Sequence, residues 1–275
     1  MGVLVFAGVL DKKGPGAENL KRVCSSRLCL IQLNVTSSQE INEAYKEISS
    51  NVQDAGLWGL VHNAGVFGYI GDGELIPLSV YKHCMDVNFF GVVQVTKIFV
   101  SLLRKAKGRL ITISSMAGHA PMPRLAAYAS SKAALSMFSA VMQQDLFKWD
   151  VKVSVVHPSG FKTKNWSRQE KAILDTTTPA VKEDYGEDYI ASLKEQHHKM
   201  FASSSADFSP VLEDVCHALL AQTPNFSYTP GRFAYLIPCF SHYLPKWVYD
   251  SLVMQLFQIN RGILPRSLRS KNKNV

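Results

Sequence analysis

Five short apolar segments in the first part of the chain constrain its fold more than any other feature. Each is rich in Val, Ile and Leu, and polar or helix-forming stretches separate one from the next. Strands that are apolar on both faces are typical of a parallel sheet covered by helices on its two sides. The segments are VLVFAGVL (3–10), LCLIQLNV (28–35), LWGLVHNAG (57–65), GRLITISS (108–115) and VKVSVVHP (151–158).

Helical patterns occupy the stretches between these predicted strands. An amphipathic helix follows Thr36 and Ser37, a longer helical stretch covers 77–106 with a break near Asn88, and another helix covers 125–148. Regular strand–helix–strand alternation implies right-handed crossovers. The sequence therefore predicts an α/β fold with a doubly wound parallel sheet, and its 275 residues suit one domain spanning 1–275.

Composition narrows the classes of partner. Hydrophobic residues make up 47% and charged residues 19%, which is enough apolar material for a core. The net charge of +8 is scattered, and its densest part, Arg266 to Lys273, is either a frayed terminus or a contact with an acidic membrane surface. No basic stripe with interleaved aromatic residues is present, so we do not expect nucleic-acid binding. Five cysteines without a C-x-x-C pair predict reduced thiols and no metal site.

The sequence also bears on membrane association. We expect neither a signal peptide nor a transmembrane segment, because no uninterrupted apolar run reaches the roughly 20 residues that a span requires. The nearest candidate, 233–257, is interrupted by prolines and charged residues, so we interpret it as a buried or interfacial segment. By this criterion alone the chain would be cytoplasmic.

The most informative chemical motif is a tyrosine followed four positions later by a lysine, in RLAAYASSKAAL (124–135). On a helix, Tyr128 and Lys132 lie on the same face. A nearby ammonium lowers the pKa of a phenol from its usual value of about 10, and such a tyrosine can exchange a proton with an alcohol or carbonyl oxygen. With 10 tyrosines in the chain the spacing can arise by chance, so its surroundings decide its weight.

Polar or glycine residues follow three predicted strands at the edge where doubly wound sheets bind ligands. Ser115 ends one strand, where its hydroxyl could stabilise a charge developing on a substrate oxygen. The sequence HNAG (62–65) ends another, and PSGFKT (158–163) follows a third. Asn88 lies where the long helical stretch changes character, and its amide could interrupt the helix and hold a water. Together these signals favour a catalytic site over packing.

These motifs resemble those of the short-chain dehydrogenase/reductase family, and the similarity runs through nearly the whole chain. It is strongest to the branch that oxidises the 17β-hydroxyl of steroids with NAD, as in estradiol to estrone and testosterone to androstenedione. The resemblance implies that 1–160 is the dinucleotide-binding part and 161–275 the substrate lid and C-terminal part. It also implies a homodimer through the helices around 87–106 and 125–148, and residence at the endoplasmic reticulum membrane.

The resemblance implies a role for each matching residue. Tyr128 would take the hydroxyl proton, Ser115 would hold the substrate oxygen, and Lys132 would lower the tyrosine pKa and bind the nicotinamide ribose. Asn88 would position a water. The implied cofactor-binding residues are Asn34, Asn63, Ala64, Gly65, Tyr128, Lys132, Pro158, Gly160 and Thr163. The implied substrate-binding residues are Ser115, Tyr128, Phe161 and Trp166, with Met200 and Phe201 as further wall candidates.

The start of the chain departs from the family pattern. Members open with a strand and a T-G-x-x-x-G-x-G loop that binds the cofactor pyrophosphate, whereas 1–10 resembles their second strand. Gly14-Pro15-Gly16 follows the wrong strand and lacks an amide donor at Pro15. We therefore expect a sheet truncated at its N-terminus, in which either the strand at 3–10 pairs with the strand at 57–65 or residues 1–55 pack loosely.

Two smaller departures weaken the cofactor assignment. Asn34 stands where relatives carry an aspartate, and His62 replaces an asparagine in the usual N-N-A-G turn. Three hypotheses stay open at this point: a steroid-oxidising enzyme, a catalytically impaired form that acts only as a dimer partner, and a retinol dehydrogenase.

Overall fold

A computed structural model of the chain describes residues 2–162, 178–256 and 263–271. Within these ranges, all strand pairs are parallel and form two sheets. The first sheet has the order β1-β2 and the second the order β3-β4-β5-β6. The strands are β1 (Val5–Val9), β2 (Leu28–Gln32), β3 (Gly59–His62), β4 (Arg109–Ile113), β5 (Lys152–Val156) and β6 (Ser227–Tyr228).

Helices connect the strands and continue beyond the last crossover. Two adjoining helices, α3 (Leu78–Met85) and α4 (Gly91–Ala106), are joined by a π-helical turn at Asp86–Phe90. The helices of the described residues are α1 (Pro15–Val23), α2 (Ser38–Val52), α3 (Leu78–Met85), α4 (Gly91–Ala106), α5 (Ala126–Phe147), α6 (Pro179–Tyr185), α7 (Glu187–Ser203), α8 (Ser209–Leu220), α9 (Leu236–Tyr243), α10 (Lys246–Leu256) and α11 (Arg266–Lys271).

The predicted α/β class is confirmed, since each of the five apolar segments contains a strand of a parallel sheet. The central strand β4 is buried along nearly its whole length, as expected for a strand covered on both faces. The predicted break near Asn88 coincides with the π-helical turn. Helices α6 and α7 are separated at Gly186, whose φ of 77° lies in the left-handed region.

The junction between the two sheets corrects one expectation. Within the described residues, β1 pairs only with β2 and β3 pairs only with β4, so the strand at 3–10 does not close onto the strand at 57–65. Side chains join the two sheets instead. A buried apolar cluster contains Ile41 and Ile48 of α2 together with Phe99 and Leu102 of α4. This packing attaches α2, and with it the first sheet, to α4.

The boundaries of α2 follow from local chemistry. The Ser37 hydroxyl caps the helix by accepting a hydrogen bond from the Glu40 amide at 3.3 Å. The Glu40 carboxylate in turn accepts a hydrogen bond from the backbone amide of Asn34 at 2.7 Å. These bonds fix the turn between β2 and α2.

The stretch Leu78–Ala106 is long and apolar enough to cross a membrane, with a mean hydropathy of 1.4 in its most apolar 18-residue window. By length and composition alone it is a candidate span that the sequence-based expectation did not include. Of that window 44% is buried, and α4 contributes Val95, Phe99 and Leu102 to the core beside the sheet. A core helix meets the same criterion, so the stretch is weak evidence for a span.

Candidate active site

Ser115 and Tyr128 are brought together at the carboxyl end of β4. Ser115 follows β4 and begins a 3₁₀ turn, Met116–Gly118, by accepting a hydrogen bond from the Ala117 amide at 3.2 Å. Tyr128 lies in the first turn of α5, close enough to Ser115 for the serine hydroxyl to act on the pKa of the phenol. The two hydroxyls can therefore contact a single substrate oxygen.

Lys132 lies one turn further along α5 and is buried. Its Nζ atom donates to the Ile113 carbonyl at 2.8 Å and lies 5.9 Å from the centroid of the Tyr128 ring. Because burial disfavours the ammonium, the pKa of Lys132 falls to about 8. The same-face placement expected from the four-residue spacing is present.

The acidity of Tyr128 differs from the sequence-based expectation. Burial raises the pKa of Tyr128 to about 12, and the hydrogen bond from Ser115 only partly opposes that effect. The prediction of a lowered pKa is wrong for this structure. The physical reason is that desolvation of the phenolate outweighs the other influences, while the Lys132 ammonium is directed at the Ile113 carbonyl.

Asn88 is fully buried in the π-helical turn. Its Oδ1 accepts from the Val66 amide at 2.8 Å, and its Nδ2 donates to the Val66 carbonyl at 2.9 Å and to the Ser131 hydroxyl at 2.9 Å. Asn88 thus connects the segment after β3 to α5. Both amide hydrogens are used in these bonds, so any contact with a water would have to be made through Oδ1.

The segment after β3 lies at the same edge of the sheet. Asn63 and Ala64 are exposed there. A Cβ atom at Gly65 would stand 3.3 Å from Asn88 Oδ1 and 3.5 Å from Lys132 Nζ. Gly65 therefore lies close to both Asn88 and Lys132, and a side chain here would crowd them.

Asn34 has a structural role in the turn before α2. Its Oδ1 accepts from the amide and hydroxyl of Thr36 at 3.0 and 2.8 Å, and its carbonyl accepts from the Ser37 amide at 2.9 Å. These bonds form an Asx turn, which accounts for an asparagine at this position without a ligand.

The predicted site residues in the segment after β5 make different kinds of contact. The Pro158 carbonyl accepts from the Met116 amide at 3.1 Å, which ties this segment to the turn that carries Ser115. The Gly160 carbonyl accepts from Ser205 at 3.0 Å. The Phe161 ring is buried and stacks on Phe208 at 5.7 Å, so its contacts are those of a core residue. Thr163, Trp166 and the side chains of Met200 and Phe201 lie outside the part of the chain that the structure describes.

Sequence reasoning missed a row of buried hydroxyls between β4 and α5. Thr112 bonds Ser139 at 2.9 Å, and Ser114 bonds Ser136 at 2.8 Å and the Lys132 carbonyl at 3.1 Å. The signal was present in the spacing, because 112 and 114 share one face of a strand while 132, 136 and 139 share one face of a helix. These bonds fix α5 on β4 and so fix Tyr128 relative to Ser115.

A pair of histidines was also missed. His119, just after the 3₁₀ turn, and the buried His157, at the end of β5, approach with their Nε2 atoms 3.3 Å apart. Burial lowers the pKa of His157 to about 4, so the pair is neutral at pH 7. One ring nitrogen therefore donates to the other, and the contact supports the turn that follows Ser115.

An apolar cavity of about 400 Å³ lies beside the candidate site, between the start of α5 and α10. Its wall includes Met122, Ala126, Ala129 and, from α10, Tyr249 and Val253. Ser115 and Lys132 are not among its lining residues, so the cavity is adjacent to the reacting groups and does not enclose them. The lining is mostly apolar, with Ser130 and Asp250 as polar members, and so suits a mainly apolar ligand.

Comparison with known proteins places this arrangement in a family. A profile described as short chain dehydrogenase matches residues 1–173. The fold, the Ser115–Tyr128–Lys132 group and this match agree, and the chain belongs to the short-chain dehydrogenase family of oxidoreductases.

Curated relatives refine the comparison. The chain is 49% identical to human (Homo sapiens) 17-beta-hydroxysteroid dehydrogenase type 2 over 278 residues, which covers 99% of this chain and 72% of the relative. It is 39% identical to bovine (Bos taurus) 11-beta-hydroxysteroid dehydrogenase type 2, over 98% of this chain and 68% of that protein. These relatives are steroid dehydrogenases.

Solved structures support the fold. A short-chain dehydrogenase from Streptomyces avermitilis superposes with a TM-score of 0.68 at 18% identity, covering 93% of this chain and 87% of that one. A short chain dehydrogenase from Burkholderia cenocepacia in complex with NADP gives a TM-score of 0.66 at 18% identity, covering 90% and 85%. The family's fold thus accommodates a nicotinamide cofactor.

Proposed function

We propose that the chain oxidises the 17β-hydroxyl of a steroid to a ketone with NAD, as in the conversion of estradiol to estrone. The single observation that carries the proposal is the proximity of Ser115 and Tyr128, with Lys132 one helical turn away, in a chain 49% identical to a 17-beta-hydroxysteroid dehydrogenase. The apolar cavity next to this group is consistent with a sterol-like substrate.

The residues after β3 and on α5 fit a nicotinamide cofactor. Gly65 lies beside the Lys132 ammonium, whose N–H groups could donate to the hydroxyl groups of a ribose. Lys132 would hold that ribose, and the exposed Asn63 and Ala64 would lie along it. When bound, the cofactor supplies an acceptor for the hydride that leaves the substrate carbon.

The chain's own side chains would handle the proton. Ser115 would donate a hydrogen bond to the substrate oxygen and hold it against Tyr128. The Tyr128 oxygen, as phenolate, would accept the hydroxyl proton while the C–H bond breaks. Since burial raises the pKa of Tyr128 to about 12, the phenolate is scarce at pH 7, and we expect the rate of oxidation to rise as the pH increases through 8 to 9.

The test is a turnover assay of the purified chain with NAD, following the absorbance of the reduced cofactor. We expect oxidation of estradiol and testosterone, and a loss of at least about 100-fold in the variant Tyr128→Phe. The matched control is Tyr45→Phe on α2, whose hydroxyl contacts Ser101 at 3.4 Å. Unchanged turnover by Tyr128→Phe would refute the assignment of the base.

A substrate panel separates the other candidates. A steroid with an 11β-hydroxyl tests for the activity after which the 39% identical relative, 11-beta-hydroxysteroid dehydrogenase type 2, is named. Oxidation of retinol without oxidation of estradiol would favour a retinol dehydrogenase, and no turnover with any alcohol would favour the impaired dimer partner. Running the panel with NADP beside NAD tests the choice of cofactor.

The homodimer and the endoplasmic reticulum location stay predictions. The former is supported by apolar side chains left exposed on the helices concerned, Met137 and Val141 on α5 and Phe90 at the start of α4. Sedimentation equilibrium of the purified chain tests the dimer, and imaging of the tagged chain in cells tests the location.

A further inference from the structure

The outer face of α9 is apolar although it is exposed. Leu236, Phe240 and Tyr243 lie at positions i, i+4 and i+7 of this helix, so they share one face, while Ile237 faces the core. The exposed fractions of these three side chains are 43%, 45% and 79%. In an ordinary soluble helix this face would carry charged residues.

Neighbouring residues along the chain also expose large side chains. Trp247, in the first turn of α10, is 76% exposed, and Phe233 and Tyr235, just before α9, are also exposed. The opposite face of α10 packs into the fold through Tyr249 and Val253. Six large apolar or aromatic side chains are thus exposed within residues 233–247, and we call this set the aromatic face: Phe233, Tyr235, Leu236, Phe240, Tyr243 and Trp247.

Positive charge borders the aromatic face. Arg232 lies over the Phe233 ring at 4.9 Å from its centroid, and Lys246 immediately precedes Trp247 and pairs with Asp250. Trp and Tyr among aliphatic side chains, bordered by Arg and Lys, is the composition of helices that lie in the plane of a membrane interface. The net charge of +8 acts in the same direction on an anionic surface.

We propose that the aromatic face docks on the headgroup region of an anionic lipid bilayer, with α9 lying in the plane of the interface. The apolar cavity lies on the inner side of α10, so an apolar ligand dissolved in the bilayer would reach it along this helix. That last step depends on the proposed function, whereas docking on lipid does not. We prefer the bilayer over a second copy of the chain because a bilayer would explain three features together: the exposed aromatic face, the basic residues that border it and the adjacent apolar cavity.

The test is flotation of the full chain with vesicles of phosphatidylcholine and phosphatidylserine at about four to one. We expect the chain to float with the vesicles, and partitioning to fall about tenfold or more in the triple variant Phe240→Ser/Tyr243→Ser/Trp247→Ser. The single variant Trp247→Ser, at a largely exposed position, tests the same set of residues with little risk to the fold. The matched control is Phe147→Ser at the end of α5, because Phe147 is 78% exposed and lies outside the aromatic face.

Three outcomes would overturn the proposal. The parent chain could fail to float, or the triple variant could float as well as the parent. Light scattering could instead show a parent dimer that the triple variant converts to a monomer while vesicle binding is unchanged, which would assign the face to a second copy. None of these readouts uses turnover, so failure here is distinguishable from failure of the proposed function.

Discussion

Asn88 and Val66 are joined by two reciprocal hydrogen bonds, in which the side-chain amide of Asn88 pairs with the backbone amide and carbonyl of Val66 at 2.8 and 2.9 Å. The Asn88 side chain thereby pairs with the Val66 backbone as a neighbouring strand would in a sheet. Because its other hydrogen goes to Ser131, this single residue connects the segment after β3, the π-helical turn and α5.

The first prediction follows from that arrangement. Asn88→Asp keeps the shape but replaces both donated hydrogen bonds with a carboxylate oxygen facing the Val66 carbonyl. We expect a loss of about 3 kcal/mol in the free energy of unfolding, measured by urea denaturation, together with a fall in turnover. Asn42→Asp, on the exposed side of α2, is the control and should change stability little. Equal effects at the two sites would contradict the role given to Asn88.

The second prediction concerns acid. Burial lowers the pKa of His62 to about 3 and the pKa of His157 to about 4, whereas an unfolded histidine has a pKa of about 6.5. Below pH 6.5 the unfolded chain binds protons that the folded chain excludes, so stability is fully present above that pH and falls as the pH falls toward 4. Between pH 7 and pH 5 we expect a loss of about 2 kcal/mol for each histidine.

Urea denaturation at several pH values measures this loss. His62→Asn, which can keep the hydrogen bond to Thr96, should reduce the pH dependence by about one proton. His83→Asn, at an exposed position of α3, is the matched control. If the slope is the same in His62→Asn and in the parent, the acid sensitivity arises elsewhere.

The third prediction tests close packing beneath the catalytic turn. A Cβ atom at Gly118 would lie 2.8 Å from the Lys132 carbonyl oxygen and 2.9 Å from its carbon, both backbone atoms of α5. Gly118→Ala should therefore force the turn away from α5 and cost about 1–3 kcal/mol of unfolding free energy. Turnover should fall as well, since Ser115 begins this turn.

Gly16→Ala supplies the comparison for that experiment. A Cβ atom at Gly16 would have nothing within 4 Å, and the residue lies in α1. Here we expect a gain of about 0.5–1 kcal/mol from the better helix propensity of alanine. A Gly118→Ala chain as stable as the Gly16→Ala chain would show that the turn can shift freely.

The fourth prediction addresses how α7 is attached. The Tyr189 hydroxyl bonds the Asp72 carboxylate and accepts from Arg124 at 3.3 Å, and burial raises the pKa of Tyr189 to about 12. Tyr189→Phe leaves the charged groups of Asp72 and Arg124 without this partner, so we expect a cost of about 1–3 kcal/mol and faster proteolytic cleavage of α7. The control is Tyr185→Phe. Tyr185 donates a hydrogen bond to the exposed Glu74, so its loss should cost under about 1 kcal/mol of unfolding free energy. Matching losses in the two variants would argue against a special role for Tyr189.

The sequence could predict the strands because short apolar segments alternate with helical patterns along the chain. It could predict Ser115, Tyr128 and Lys132 as neighbours because the carboxyl ends of parallel strands converge on one edge of the sheet. It could not predict the acidity of Tyr128, since the balance between desolvation and neighbouring groups depends on where the Lys132 ammonium is directed. Nor could it predict that Asn34 serves an Asx turn or that Phe161 faces Phe208, because both depend on contacts between distant segments.

The division between β1–β2 and β3–β6 has a consequence for how the chain opens. Within the described residues no backbone hydrogen bond links these sheets, so separating them breaks side-chain packing between α2 and α4 and leaves each ladder intact. Local opening of the N-terminal pair therefore costs side-chain packing but no ladder hydrogen bonds, and its amide protons should exchange with solvent sooner than those of the buried β4. The candidate active site belongs to the slower-exchanging unit, which would keep Ser115 and Tyr128 in place while the remainder fluctuates.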